Sequence, residues 1–144
     1  MTLVLPVILL IAAATPAQTP TPTTPKSSYA AIPVAAAQAQ NPVKPSPESL
    51  ARAQKWWKLD CAMCHGKDGN GKGETAVDMK LTIVNFTDPA ALKNRTDGEL
   101  FYIIKNGIQD MPPEGPRVKE EENWDLVNYV RSLSKPAAEA SQKP

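Results

Sequence analysis

A chain of 144 residues has room for one domain, and a formal net charge of +1 supplies no basic field that would draw nucleic acid. Its 15 prolines are unevenly spread, which predicts a tail and a small compact part with limited means of building a large core. The two cysteines, Cys61 and Cys64, stand too close together to staple distant segments.

Leu3 to Ala14 is an apolar run without charge. Its length matches the apolar region of a secretory signal and is short for a membrane span. Ala12-Ala13-Ala14 or Thr15-Pro16-Ala17 supplies small residues before a cleavage site. No Lys or Arg precedes the run, so a buried helix or an uncleaved anchor is the alternative. Residues 1–17 are expected to be a signal peptide or an N-terminal apolar segment, and the protein to be periplasmic or otherwise exported. Residues 18–45 are rich in Pro, Thr, Ala and Gln, with too few large apolar side chains to offset the entropy of ordering. They read as a semi-extended linker in which a packed helix is not expected.

The compact part is expected over residues 46–135. Ser46-Pro47-Glu48 is a helix start: a capping Ser, Pro in the first turn, then an acid. Leu50, Ala53, Trp57, Cys61 and Cys64 follow at intervals of three and four and form one helical stripe.

That stripe leads into Cys61-Ala62-Met63-Cys64-His65, which reads C-x-x-C-H, the pattern of covalent haem attachment. Two sulfurs three apart lie on neighbouring positions of a helical turn and reach two vinyl groups along one haem edge. The adjacent His65 is placed to put a ring nitrogen on the iron. A structural zinc site wants four Cys or His ligands, and this chain has three in all. A redox dithiol belongs beside a βαβ pattern, and none is visible.

Four glycines in residues 66–73 rule out a stable helix there and let backbone pass close to a bulky group. The loop lacks the strand and the G-K-[ST] ending of a phosphate-binding loop. Met79, Leu81 and Ile83 alternate, so residues 79–83 suit either a short strand or a loop draped over haem. Asp88-Pro89 suggests the cap and first residue of a short helix. Thr96-Asp97-Gly98-Glu99 is a capping box, Leu100, Ile103 and Ile104 mark a helix face, and Asn106-Gly107 ends it.

Met111 is followed by Pro112 and Pro113, which stiffen the backbone behind a thioether. A sixth haem ligand requires such a frame, although gap-filling in a core is the commoner fate of Met. The chain has no second His, Met1 lies in the apolar leader, and Met63 is confined between the cysteines. Met111 and Met79 remain, and Met111 has the rigid frame. Glu120 to Leu133 then reads as a last helix with Leu126, Val127, Val130 and Leu133 on its apolar face. Pro136 stops it, and residues 136–144 read as a flexible tail.

Cys61-x-x-Cys64-His65-Gly66, then Asn106-Gly107 with Met111-Pro112, then Tyr129-Val130-Arg131-Ser132-Leu133 together resemble the class I c-type cytochromes of the small monohaem kind. The resemblance implies an all-α cytochrome c fold, about four helices around one covalently bound haem c, with the first and last helices crossing. It places Ala53 and Trp57 at that crossing, answered by Val127, Tyr129 and Val130. It gives thioethers to Cys61 and Cys64 and axial ligation to His65 and Met111. In the family a Pro carbonyl after the glycine loop often accepts a hydrogen bond from the ligand His. Here Glu74 follows Gly73, which keeps a carbonyl and loses the rigid frame.

The implied function is a one-electron carrier, not an enzyme and most simply a monomer. Redox partner proteins would dock at an exposed haem edge, steered by Lys67, Lys72 or Lys105. The alternative is a haem subunit of a larger respiratory or dehydrogenase complex. A ligand-binding haem protein with a labile sixth position is a third reading.

Overall fold

The computed structural model describes residues 31–134. The expected signal segment, most of the expected linker and the C-terminal tail lie outside the described residues. Among the described residues six α-helices run in order: α1 (Val34–Ala37), α2 (Pro47–Trp56), α3 (Ala62–His65), α4 (Glu74–Asp78), α5 (Asp97–Asn106) and α6 (Glu120–Ser132). One π-helical turn, Trp57–Cys61, joins α2 to α3. Among the described residues there is no strand, so the fold is all-α as expected.

The helix ends follow from local chemistry. The Ser46 hydroxyl accepts from the Ser49 amide at 3.2 Å, and the Ser49 hydroxyl accepts from the Ser46 amide at 2.9 Å. At α5 the Thr96 hydroxyl accepts from the Glu99 amide at 3.1 Å while the Glu99 carboxylate accepts from the Thr96 amide at 2.8 Å. Both reciprocal boxes satisfy amides that a helix leaves unpaired. Gly107 ends α5 at φ 73, a left-handed conformation that favours glycine.

α2 packs on α6, and α5 packs on both α1 and α6. The core gathers Ala53 from α2, Leu100 and Ile104 from α5, and Trp124, Leu126 and Val127 from α6. Ala53 and Val127 have no exposed surface, in keeping with a tight contact between the first long helix and the last. Phe101 and Trp124 stack with centroids 4.0 Å apart. Arg131 ties α6 to the approach to α5, reaching Asp97 at 2.9 Å and the Leu92 carbonyl at 2.9 Å.

Three local expectations differ from the structure. The reading of residues 18–45 as one unpacked linker does not hold for 33–43. There α1 lies on α5, Ala39 and Val43 pack against the core, and the Asn128 amide donates to the Val43 carbonyl at 2.9 Å. Its small alanines approach Gly98, where a side chain would strike the Ala36 carbonyl. Residues 88–95 form successive turns instead of a helix, because Ala91, Lys93 and Arg95 each donate to a carbonyl three residues back. The regular stripe along α2 is interrupted by the π-helical turn, and Ser49, rather than Leu50, is its fully buried start.

Candidate functional site

The π-helical turn sets the site. An extra residue in the turn re-aims the side chains that follow. Trp57, at its start, is 2% exposed, and its indole Nε1 donates to the Lys67 carbonyl at 3.1 Å. Cys61 closes the turn, and Cys64 and His65 follow on α3. Both cysteines are free thiols.

The glycine loop then folds back under α3. Gly71 donates to the His65 carbonyl at 2.8 Å and Gly73 to the Cys64 carbonyl at 3.1 Å. Gly71 takes φ 74, and a Cβ there would lie 2.6 Å from the Ile83 carbonyl oxygen, so this crossing requires glycine. The 79–83 segment is thus a covering loop and not a strand. It carries Phe86 onto His65, with ring centroids 5.1 Å apart and planes 20° from parallel. Trp57 flanks the same imidazole at 5.6 Å and meets Tyr129 at 5.5 Å.

Met111 is fixed by a turn of its own. Ile108 and Met111 exchange backbone hydrogen bonds of 3.1 and 2.8 Å, with Gln109 at φ 51 in the bend. A Cβ on Gly107 would lie 2.5 Å from the Met111 carbonyl oxygen, so the chain passes itself closely here. The two prolines therefore act within a turn already closed by its own backbone.

Cys61, His65 and Met111 line a single cavity of about 50 Å³, together with Leu100 and Ile104 of α5 and Leu126 and Val130 of α6. Cys64 stands beside it on α3 and is not among its walls. Met79 points away: it is 60% exposed, and Met63 is 56% exposed. The thioether on the cavity wall is thus Met111's.

Burial lowers the His65 pKa, so the imidazole is neutral at neutral pH. Its buried Nδ1 has no hydrogen-bond partner among the described residues. The Glu74 carbonyl, which stands where the family often has a Pro carbonyl accepting from the ligand His, does not receive it. Burial first, then the charges of Glu114 and Asp60, push the Cys61 thiol up to about 12 against the pull of Arg117. A neutral imidazole, two cysteine thiols, a thioether and an apolar lining are the donor set and surroundings that covalent haem takes. The fit is one of donors and lining, not of volume.

Phe86 and Arg117 were not among the expected site residues. Phe86 sits in a run whose period is ambiguous, and its contact with His65 is made by the fold. Arg117 donates to Asp60 at 2.9 Å, next to Cys61, across 57 residues of sequence.

Residues 48–130 match the family described as cytochrome c oxidase, cbb3-type, subunit III. Cytochrome c6 of Pyropia tenera is 31% identical over 85 residues, covering 59% of this chain and 93% of that protein. Among solved structures, the Kuenenia stuttgartiensis reducing HAO-like protein complex Kustc0457/Kustc0458 superposes with a TM-score of 0.56 at 25% identity. That match covers 67% of this chain and 50% of the other, so the chain spans about half the length of that structural neighbour.

Proposed function

The chain belongs to the cbb3-type cytochrome c oxidase subunit III family of class I c-type cytochrome domains, carries covalently bound haem c, and acts as an electron carrier; on that premise we propose that it is an exported one-electron carrier whose iron is held between His65 and Met111. The observation that supports this most is the convergence of Cys61 and His65, from one stretch, and Met111, from another, on one apolar cavity.

In this reading Cys61 and Cys64 hold the macrocycle through thioethers. When bound, haem supplies an iron that gains and loses one electron. His65 gives a neutral imidazole, and Phe86 and Trp57 confine its ring. Met111 gives a thioether that favours the reduced state. His65 and Met111 would together hold the iron, which would suit it to carrying electrons rather than to turning over oxygen or peroxide. Leu100, Ile104, Leu126 and Val130 keep water from the site, and a low-dielectric surround disfavours added positive charge.

Electron transfer implies redox partners. Lys67 and Lys72 are exposed on the loop after His65 and are placed to steer one. Lys105 is instead engaged with Glu120 at 3.6 Å and lies over the Phe101 ring. Export rests on the apolar N-terminal run; among the described residues no helix is long and apolar enough to cross a membrane.

The test is the near-infrared spectrum of the oxidised protein. A sulfur–iron band is expected, lost in Met111→Ala and kept in Met79→Ala. Its survival in Met111→Ala overturns the ligand assignment. A second reading, a subunit of a larger oxidoreductase, is favoured by the matched family's description and by the structural neighbour's being a complex. Gel filtration of the native protein separates the two: a lone small species excludes permanent assembly.

A further inference from the structure

The reading above gives no task to Glu114, a charged group on the Met111 loop. Glu114, three residues past Met111, is 5% exposed. A buried carboxylate is costly unless it is paired, and an apolar side chain in its place is often no less stable. Here Arg117 serves it, donating to both carboxylate oxygens at 2.8 and 2.6 Å. The other terminal nitrogen of the same guanidinium reaches Asp60 at 2.9 Å.

Asp60 precedes Cys61 in the π-helical turn. The fork of Arg117 therefore joins the turn that bears an attachment cysteine to the loop that bears the candidate ligand. The backbone of the same flank is tied to another element. Glu114 donates to the Ile104 carbonyl at 2.9 Å and Gly115 to the Lys105 carbonyl at 3.0 Å, which secures it to α5. A loop tied to one element pivots about it, whereas a loop tied to two resists. The planar guanidinium suits this, because it holds two partners at fixed angles where an ammonium is a single point charge.

We propose that Asp60, Arg117 and Glu114 are positioning residues that clamp the Met111 loop to the haem-attachment turn and so set how readily the Met111 thioether is displaced from the iron. The inference rests on the His65 and Met111 ligation proposed above. It assigns the buried Glu114 to geometry and not to net stability.

The experiment uses the oxidised holoprotein and added imidazole as the competing ligand. Loss of the sulfur–iron band reports the displacement rate. Asp60→Asn cuts the link to the attachment turn while leaving the Arg117–Glu114 pair in place, so the buried carboxylate stays matched and the fold is kept. Displacement is expected to quicken by roughly two- to fivefold, the range open to a part-exposed ion pair. Arg117→Lys keeps the charge and loses the fork, and should quicken displacement as well. Glu120→Gln, which removes an exposed pair elsewhere, should leave the rate unchanged. If both Asp60→Asn and Arg117→Lys react at the wild-type rate, the clamp is overturned while the ligand assignment stands. If the wild-type protein has no sulfur–iron band, the ligand assignment fails and the clamp with it.

Discussion

The hydroxyl of Thr96 donates to the carbonyl oxygen of Ala37 across 2.6 Å while it accepts from the Glu99 amide at 3.1 Å. One side chain thus caps α5 and fastens α1 to it. Thr96→Val should remove both bonds, costing about 1 kcal/mol for the cap alone. Thr96→Ser should retain them. Gly98→Ala should displace α1 without touching the cap, because its methyl would meet the Ala36 carbonyl. Hydrogen exchange at the Ala37 and Gln38 amides, which close α1 at 3.0 Å each, measures the release.

Trp57 supplies the second prediction. Its indole bond to Lys67 closes the attachment turn on the glycine loop. Trp57→Phe keeps an aromatic ring beside His65 and Tyr129 but leaves the Lys67 carbonyl without this donor. The expected loss is about 1 kcal/mol in denaturant unfolding of the holoprotein. Trp57→Ala should cost about 3–5 kcal/mol, because it also empties a site that is 2% exposed. Equal losses for the two variants would show that the bond, not the packing, dominates.

The contrast between these positions shows what the amino-acid order made legible. Ser46-Pro47, Thr96 to Glu99 and Gly107 announced helix ends because caps act within a few residues. Cys61, Cys64 and His65 were readable because attachment chemistry demands adjacency. Met111 stood out through its prolines, and it lines the same cavity as Cys61 and His65. Phe86 on His65, Asp60 on Arg117 and α1 on α5 were not readable. Each joins residues far apart in sequence, and none carries a local pattern. The Pro-rich composition before Lys44 argued against packing, yet the backbone of Ala36 and Ala39 seats on Gly98. The π-helical turn also escaped, since the three-and-four spacing from Ala53 to Cys64 fits an α-helix equally well.

Overfilling Ala53 tests the contact between α2 and α6. It has no exposed surface and belongs to the same core cluster as Leu126 and Val127. Ala53→Leu should destabilise by about 1–3 kcal/mol, since a packed interior has no room for three more carbons. Ala53→Gly should cost about 1 kcal/mol through helix propensity, with little change in packing. Thermal unfolding ranks the pair, and a larger loss for Gly than for Leu would mean that the two helices are loosely apposed.

Asp125 predicts how acid acts on the fold. Its side chain has no exposed surface; Oδ2 pairs with Arg52 at 2.8 Å, and Oδ1 has no hydrogen-bond partner among the described residues. Burial pushes its carboxyl above the usual range, the Arg52 guanidinium pulls it back, and Glu121 and Glu122 add to the rise. The folded chain therefore keeps this proton to a higher pH than the unfolded chain does, and folding takes up protons in that window. The contribution of Asp125 to stability is full below the unfolded carboxylate pKa and is lost as pH rises through the folded one. Asp125→Asn cannot titrate, so wild type should gain on it as the solution is acidified from neutral. Arg52→Met removes the opposing guanidinium and should steepen that dependence. Denaturant midpoints of the three proteins across the acid range measure it, and a wild type that loses ground to Asp125→Asn on acidification would mean that Arg52 outweighs burial.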